Sequence, residues 1–262
     1  MISLSKLPHH NGHNVYYETI GGDTAKPYLV FLHEGLGCTK MWRDFPKELC
    51  TATGCPGLLY DRIGYGHSSP WPHDYTRTLN YLHEYALQEL PWVLGQVIPK
   101  TPFVLIGHSD GGSVSLIYGA QKPLLLRGII TEAAHVSVEE VTLIGIKKAQ
   151  TAWTDGKLKG LEKHHGDKTE TVFSAWSKTW LSQWFRKWNI EDLLPEIEAP
   201  LLIIQGGNDQ YASIAQATRI ASLSSGAAQL EFVKGCGHVP HFEAQSVVLS
   251  LMSHFIGQTC QK

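Results

Sequence analysis

Short apolar runs recur along the chain and predict strands. Residues 14–21 alternate between apolar and polar positions, which indicates a strand. The other runs are almost continuously apolar, and such runs are typical of strands buried on both faces, as in parallel sheets. These continuous runs cover residues 27–33, 56–61, 103–107, 126–133, 200–206 and 229–235.

Segments with helical character separate these runs. Strands that alternate with helices form βαβ units, so the pattern predicts an α/β chain whose mostly parallel sheet carries helices on both faces. Because ligands bind beyond the carboxyl ends of the strands in such sheets, the residues just after each apolar run are the candidates for chemistry. The helical segments cover residues 79–97, 111–121, 213–223 and 243–257.

The segment 135–195 has a different character, because it holds five of the eight tryptophans of the chain. Four of them recur at every fourth position, a spacing that keeps side chains within one broad face of a helix. Such a face either packs inside the segment or lines an apolar pocket. The four are Trp176, Trp180, Trp184 and Trp188.

Composition limits the classes of function. Hydrophobic residues make up 43% and charged residues 18%, and the net charge of −2 gives no reason to expect a nucleic acid or an acidic membrane as partner. No apolar run approaches the roughly 18 residues of a membrane span. The first residues, MISLSKLPHH, lack the apolar stretch of a secretory signal, so we expect a cytoplasmic protein that acts on a small molecule.

Cysteines and histidines do not predict a metal site or a cofactor. The five cysteines are irregularly spaced, which favours thiols in a reducing compartment, although the sequence leaves a link between two of them, Cys50 and Cys55, open. His164 and His165 have no acidic or thiol neighbours at metal-ligand spacing, so we expect a solvated loop there. The cysteines are Cys38, Cys50, Cys55, Cys236 and Cys260.

The stretch FVLIGHSDGG contains the clearest candidate for chemistry. Ser109 lies between Gly107 and Gly111, with a predicted buried strand before it and a predicted helix after it. This context is typical of the nucleophile elbow, a sharp turn that exposes a serine oxygen at the edge of the sheet. Small neighbours allow the strand and the helix to approach closely, and the start of the helix supplies N–H donors.

A serine hydroxyl needs a base near neutral pH, and the base needs a carboxylate that orients it. His238, in GCGHVPHF, and Asp209, in QGGNDQYA, both follow apolar runs and match the chain order serine, acid, histidine. Alternatives remain at each position. Glu132 is a second candidate acid, His241 is a second candidate base, and Asp209 could instead cap the helix that follows it.

These motifs resemble the α/β-hydrolase superfamily. The resemblance covers nearly the whole chain and rests on LHEGLG, DRIGYGHS, IGHSDGG, IQGGNDQY and GCGHVPHF. It implies a doubly wound, mostly parallel, eight-stranded sheet, with a core domain of residues 1–134 and 196–262. It also implies a helical cap, which residues 135–195 would form between the sixth and seventh strands, a Ser–His–acid triad and an oxyanion hole.

Two backbone N–H groups are expected to form that oxyanion hole. One belongs to Asp110, the residue after the candidate nucleophile. The other belongs to Gly35 or Leu36, because this chain carries an extra Glu34 where family members usually have His-Gly-x-Gly. Glu34 and Asp110 place two carboxylates near a developing negative charge, which disfavours the oxyanion unless they find donors. Arg62 is a candidate partner for one of them.

We therefore expect a serine hydrolase that cleaves small apolar carboxylic esters through an acyl-enzyme intermediate, without a cofactor or a metal. Hydrolysis of thioesters, methyl esters or carbon–carbon bonds of ring-cleavage products uses the same triad, and a hydrolase-fold protein that binds a ligand without turnover is the alternative of another class. A serine at this position argues against the members with an aspartate nucleophile, the dehalogenases and epoxide hydrolases. The residues expected to line the substrate pocket are Trp176, Trp180, Trp184 and His135.

Overall fold

A computed structural model describes residues 2–8 and 12–259, and its centre is an eight-stranded sheet. The strands are β1 Ile2–Pro8, β2 Asn14–Ile20, β3 Tyr28–Leu32, β4 Gly57–Tyr60, β5 Phe103–His108, β6 Leu126–Glu132, β7 Leu201–Gly206 and β8 Ala228–Val233. Their order across the sheet is β1-β2-β4-β3-β5-β6-β7-β8. The β1–β2 and β2–β4 pairs are antiparallel and the remaining pairs of this sheet are parallel, so the predicted fold class is confirmed.

The two edge strands differ from the sequence pattern. The apolar runs did not single out β1, whose sequence ISLSKLP alternates between polar and apolar residues and pairs with β2 along its whole length. Strand β8 was expected to be buried on both faces, but most of its residues are partly or fully exposed. An edge strand has a neighbour on one side only, which leaves its backbone and side chains less covered.

Helices cover both faces of the sheet, because successive side chains of a strand point to opposite faces. The α-helices of the described chain are α1 Phe45–Thr53, α2 Tyr81–Glu84, α3 Leu90–Val97, α4 Asp110–Gly119, α5 Glu140–Thr154, α6 Glu162–His165, α7 Thr169–Leu181, α8 Ile214–Leu223, α9 Pro240–Glu243 and α10 Gln245–Thr259. Leu29 and Phe31 of β3 belong to a core formed with α1 and α10, whereas Val30 and Leu32 belong to the opposite core, formed with α4 and α8.

Helices α5, α6 and α7 lie between β6 and β7, within residues 135–195, which we call the helical insertion. One prediction about this segment is wrong. Helix α7 ends at Leu181, because Ser182 adopts extended backbone angles (φ −71°, ψ 149°) and its hydroxyl donates to Thr179 O at 2.6 Å. The four evenly spaced tryptophans therefore do not share one helix face: Trp176 and Trp180 lie on α7, and Trp184 and Trp188 lie beyond its end.

The cysteines of the described chain are buried thiols, and no disulfide joins Cys50 to Cys55. Cys260 lies outside the described residues. Across residues 2–8 and 12–259, no helix combines the length and the apolar character that crossing a bilayer requires.

Candidate active site

Ser109 occupies a sharp turn between β5 and α4. Its φ of 52° and ψ of −115° are unusual for a residue with a side chain. The neighbouring glycines are required by close backbone contacts: a Cβ on Gly107 would lie 2.2 Å from Gly111 O, and a Cβ on Gly111 would lie 2.0 Å from Leu32 O. The Ser109 N–H donates to Glu132 O at 2.8 Å, which helps hold the turn. The predicted tight turn is present.

A histidine and a carboxylate from separate strand ends lie beside this serine. His238 Nε2 is 3.0 Å from Ser109 Oγ, and His238 Nδ1 is 2.8 Å from Asp209 Oδ2 and 2.9 Å from Oδ1. A carboxylate can only accept, so the neutral ring carries its proton on Nδ1 and presents Nε2 as an acceptor to the hydroxyl. The three side chains follow β5, β7 and β8, whose carboxyl ends meet at one edge of the sheet.

Asp209 is held by four donors. Its Oδ1 accepts from Tyr211 N at 2.7 Å and from Ala212 N at 3.1 Å, and its Oδ2 accepts from Gln205 Nε2 at 2.8 Å, in addition to the bond from His238. Burial by itself raises the pKa of Asp209, but the hydrogen bond and charge of His238 and the Tyr211 N–H outweigh it and lower the pKa below its usual value. Asp209 is therefore a carboxylate near neutral pH.

The alternative acid and the alternative base have each other as partners. Glu132 Oε2 lies 2.8 Å from His241 Nδ1, and both side chains are buried. Helix α8 is capped by Ser213, whose hydroxyl accepts from Ala215 N, so Asp209 is not its N-cap. The geometry thus gives His238 one carboxylate partner, Asp209.

The backbone N–H groups of Gly35 and Leu36, the two candidates for the second oxyanion donor, differ in their hydrogen bonds. The Leu36 N–H already donates to the carboxylate of Glu34. Within the described chain, no hydrogen-bond acceptor engages the N–H of Gly35 or of Asp110, and both residues line the cavity that contains Ser109. Gly35 rather than Leu36 therefore has an amide available for a ligand oxygen.

The two carboxyl groups near these amides, Glu34 and Asp110, both accept hydrogen bonds. Asp110 Oδ2 accepts from Tyr81 Oη at 3.1 Å and lies 3.8 Å from Arg62 Nη1. The Arg62 guanidinium also donates through Nη2 to the backbone oxygen of Glu34 at 2.8 Å. Burial raises the pKa of Glu34, and the Leu36 N–H opposes this rise without cancelling it. Arg62 therefore pairs with Asp110, and the carboxyl of Glu34 is bonded inside its own loop.

A cavity of about 360 Å³ lies above Ser109 and His238. Trp176 and Trp180 of α7 form part of its wall. Trp184 does not line this cavity and is 45% exposed. The helical insertion thus contributes two of the three predicted tryptophans to the cavity.

The polar lining of this cavity is acidic or neutral. Glu34 and Asp110 line it, and none of the described lining residues is a lysine or an arginine. His135 lines it as well, and its Nε2 is 3.1 Å from Tyr211 O. Burial lowers the pKa of His135, so this ring is neutral near pH 7. An anionic ligand would therefore find few favourable charges in the cavity.

The sequence pattern did not predict that two further residues, Tyr81 and His165, lie close to the site. Tyr81, which bonds to Asp110, occupies a position that fits an ordinary apolar helix face. His165 was expected in a solvated loop but is buried, because its ring bonds to Gly66 N and Leu36 O. Both partners are backbone groups distant in the chain, and no local pattern signals such contacts.

Comparison with known proteins identifies the family. Residues 29–250 match the alpha/beta hydrolase family. The chain belongs to this family. Among the relatives of this alpha/beta hydrolase, the proline iminopeptidase of Lactobacillus helveticus is 24% identical over 290 residues that cover 94% of this chain and 95% of the relative. The sn-1-specific diacylglycerol lipase of Mus musculus is 21% identical, with 92% of this chain and 84% of the lipase covered.

A solved structure shows the same fold. The thermophilic esterase from Thermogutta terrifontis matches this alpha/beta hydrolase with a TM-score of 0.74 at 16% identity, over 98% of this chain and 99% of the esterase. The names of the relatives describe different reactions. The family and its members therefore support hydrolase activity, and they do not select the bond that is cleaved.

Proposed function

We propose that this alpha/beta hydrolase is a serine hydrolase that cleaves small carboxylic esters through an acyl-enzyme intermediate. The observation that carries the proposal is the continuous hydrogen-bond chain from Ser109 through His238 to Asp209. A hydroxyl beside an imidazole nitrogen whose ring is oriented by a carboxylate is the arrangement that nucleophilic catalysis by serine requires.

In the first half of the reaction, Ser109 Oγ attacks the ester carbonyl carbon while His238 Nε2 accepts the hydroxyl proton. Asp209 stabilises the imidazolium that forms. The carbonyl oxygen becomes negative and accepts hydrogen bonds from the N–H groups of Gly35 and Asp110, which no acceptor of the described residues occupies. His238 then gives its proton to the alkoxy oxygen, and the alcohol leaves.

In the second half, water attacks the acyl carbon while His238 Nε2 accepts a proton from it. The same two N–H groups stabilise the second tetrahedral intermediate. The C–O bond to Ser109 breaks, the serine oxygen regains its proton from His238, and the carboxylic acid is released. Each step uses the single nitrogen that lies 3.0 Å from Ser109 Oγ.

The helical insertion is proposed to be a cap that closes the cavity. Trp176 and Trp180 from this segment line the cavity together with apolar side chains such as Ile146 and Leu158. Aromatic and aliphatic walls favour an apolar acyl or alkoxy group by the hydrophobic effect. A carboxylate in the substrate would instead be desolvated beside Glu34 and Asp110, at a cost of several kcal/mol. This argues for neutral esters and against acidic ring-cleavage products.

Amide hydrolysis is the second candidate function. The observation in its favour is the similarity to the proline iminopeptidase of Lactobacillus helveticus, which covers 94% of this chain. The Ser109–His238–Asp209 arrangement suits acyl transfer from an ester, a thioester or an amide, because all three pass through a tetrahedral oxyanion. A binding protein without turnover would have no need for the bond between His238 and Ser109.

The proposal is tested by a substrate panel and a matched pair of serine variants. Wild-type protein should react with a fluorophosphonate probe and hydrolyse p-nitrophenyl esters, with prolyl p-nitroanilide included as the amide arm. Ser109→Ala should lose both activities, with kcat reduced by at least about 10⁴-fold. Thermal unfolding should show that the variant folds.

Ser115→Ala is the control, because Ser115 lies on the same helix and its hydroxyl, among the residues that the structure describes, bonds only to Gly111 O. It should label and turn over like the wild type. Ester turnover by Ser109→Ala at a near wild-type rate would contradict the proposed nucleophile. Faster cleavage of the anilide than of every ester would favour the second candidate.

A further inference from the structure

His165 joins the helical insertion to two loops of the core. It lies at the end of α6, is 3% exposed, and bonds to Gly66 N and Leu36 O, which are 99 and 129 positions away. The Gly66 N–H donates to Nδ1 at 3.0 Å, and Nε2 donates to Leu36 O at 2.8 Å. Because one ring nitrogen accepts and the other donates, the ring is neutral, with its proton on Nε2.

Leu36 belongs to the loop that carries the proposed oxyanion donor, and one bond from the core and one bond within the loop fix the first peptide of this loop. Glu34 O accepts from Arg62 Nη2 at 2.8 Å and from Gly37 N at 3.1 Å. A trans peptide is planar, so the N–H of Gly35 points away from the Glu34 carbonyl in the same plane. The bonds to Glu34 O therefore help set the direction of the Gly35 N–H.

The helical insertion secures the rest of the loop. His165 holds Leu36 O, while the Leu36 N–H is held by the Glu34 carboxylate. Trp176 covers Gly35 so closely that an added Cβ would lie 2.7 Å from the Trp176 Cδ1 atom. Leu36 O belongs to the Leu36–Gly37 peptide, and the N–H of that peptide donates to Glu34 O. His165 therefore holds the peptide whose N–H helps to fix the Glu34–Gly35 peptide.

We propose that His165 is a positioning residue for the oxyanion hole: by holding Leu36 O, it keeps the Gly35 N–H aligned with the Asp110 N–H beside Ser109. This inference rests on the proposed function. Oxyanion contacts are strongest in the transition state, so a residue that aligns them acts on kcat. A residue that only shapes the pocket wall would act on KM for the acyl group.

Three variants of the full chain separate the hydrogen bonds of His165 from its shape. His165→Gln keeps an acceptor and a donor on one side chain, and His165→Phe keeps the bulk of the ring without either. His164→Ala is the control, because His164 lies on the same short helix and forms no hydrogen bond to the Leu36 loop within the described chain. The measurements are kcat and KM on one p-nitrophenyl ester, the rate of fluorophosphonate labelling, and thermal unfolding.

His165→Phe should lower kcat and the labelling rate by about 10- to 100-fold, somewhat less than the 10²- to 10³-fold typical when an oxyanion donor is removed. KM should change by less than about threefold. His165→Gln should recover most of the loss, and His164→Ala should match the wild type. His165→Met, a second variant without hydrogen bonds, replaces His165→Phe if the latter does not fold.

Two results would overturn the inference while leaving the proposed function standing. The first is an active wild type with unchanged kcat in His165→Phe or His165→Met. The second is a loss that appears in KM, or one that His165→Gln does not reduce. A wild type that neither turns over esters nor labels would instead refute the proposed function, and the inference with it.

Discussion

At the scale of single residues, the site depends on a tight backbone turn that requires glycines beside Ser109. Ser109 adopts a positive φ, and Gly107 and Gly111 are needed because their neighbours approach within 2.2 Å of an added Cβ. The acid shows the same dependence on local geometry. Asp209 receives its donors from Gln205 and from backbone amides that follow it, which orients the carboxylate toward His238.

The choice between the two candidate acids is a residue-scale prediction. Asp209→Asn should keep the contacts but favour the wrong tautomer of His238, with a loss of about 10⁴-fold in kcat, as measured for the equivalent change in a well-studied serine protease. Glu132→Gln is the comparison, because Glu132 bonds to His241 rather than His238. It should change kcat by less than about tenfold. Steady-state kinetics on one ester decide the ranking, and the reverse ranking would assign the acid to the end of β6.

At the scale of elements, the end of α7 decides which tryptophans reach the cavity. Trp176 and Trp180 lie on the helix and line the cavity. Trp184 follows the helix end at Leu181 and is 45% exposed. The bond between Trp180 Nε1 and Tyr81 Oη, at 3.1 Å, also joins α7 to α2. The even spacing in the sequence predicted that these tryptophans share one helix face. Because the helix ends at Leu181, Trp184 lies outside the cavity wall.

The element-scale prediction compares two tryptophans. Trp176→Ala should raise KM for p-nitrophenyl hexanoate about 5- to 30-fold more than KM for the acetate, because a longer acyl chain loses more buried apolar contact. Trp184→Ala should leave the ratio of the two KM values unchanged, since Trp184 lies outside the cavity. Steady-state kinetics over a chain-length series provide the test. Equal effects of the two substitutions would contradict the proposal that Trp176 forms part of the substrate pocket.

At the scale of the whole molecule, Glu89 is a buried ionisable group that the proposed reaction does not use. Glu89 is 5% exposed and accepts from Ile63 N at 3.0 Å. Burial raises the pKa of Glu89 from 4.5 to about 8, with only partial opposition from the Ile63 N–H and the charge of Arg62. Between these values the unfolded chain releases this proton and the folded chain retains it. Stability is therefore lost as the pH rises through that window.

The whole-molecule prediction is a pH-dependent gain from Glu89→Gln. Glutamine preserves an acceptor for Ile63 N and has no proton to release. The free energy of unfolding of the variant, relative to wild type, should rise between about pH 4.5 and pH 8, by a total on the order of 4 kcal/mol. Urea unfolding at pH 5, 6.5 and 8 measures this difference. Glu170→Gln, at an exposed position, is the control and should show no trend. A difference independent of pH would contradict the buried, protonated state of Glu89.

The sequence by itself determined the features that depend on local pattern. Apolar runs alternating with helices predicted the mostly parallel sheet, because burial on both faces requires strands of that kind. The glycines around Ser109 predicted the tight turn. The backbone groups that exclude a side chain at Gly107 and Gly111 belong to the turn itself and to the neighbouring strand β3. Asp209 and His238 could be chosen because each follows a strand that ends at the same edge.

Only the tertiary structure decided which groups meet across long separations. It joined Glu132 to His241, and it placed His165 between two core loops. The partners of His165 are backbone groups, which every residue carries and which therefore leave no trace in the sequence. The side-chain pattern selects the strands and the turn, and the tertiary packing of the core and of the helical insertion selects the partners.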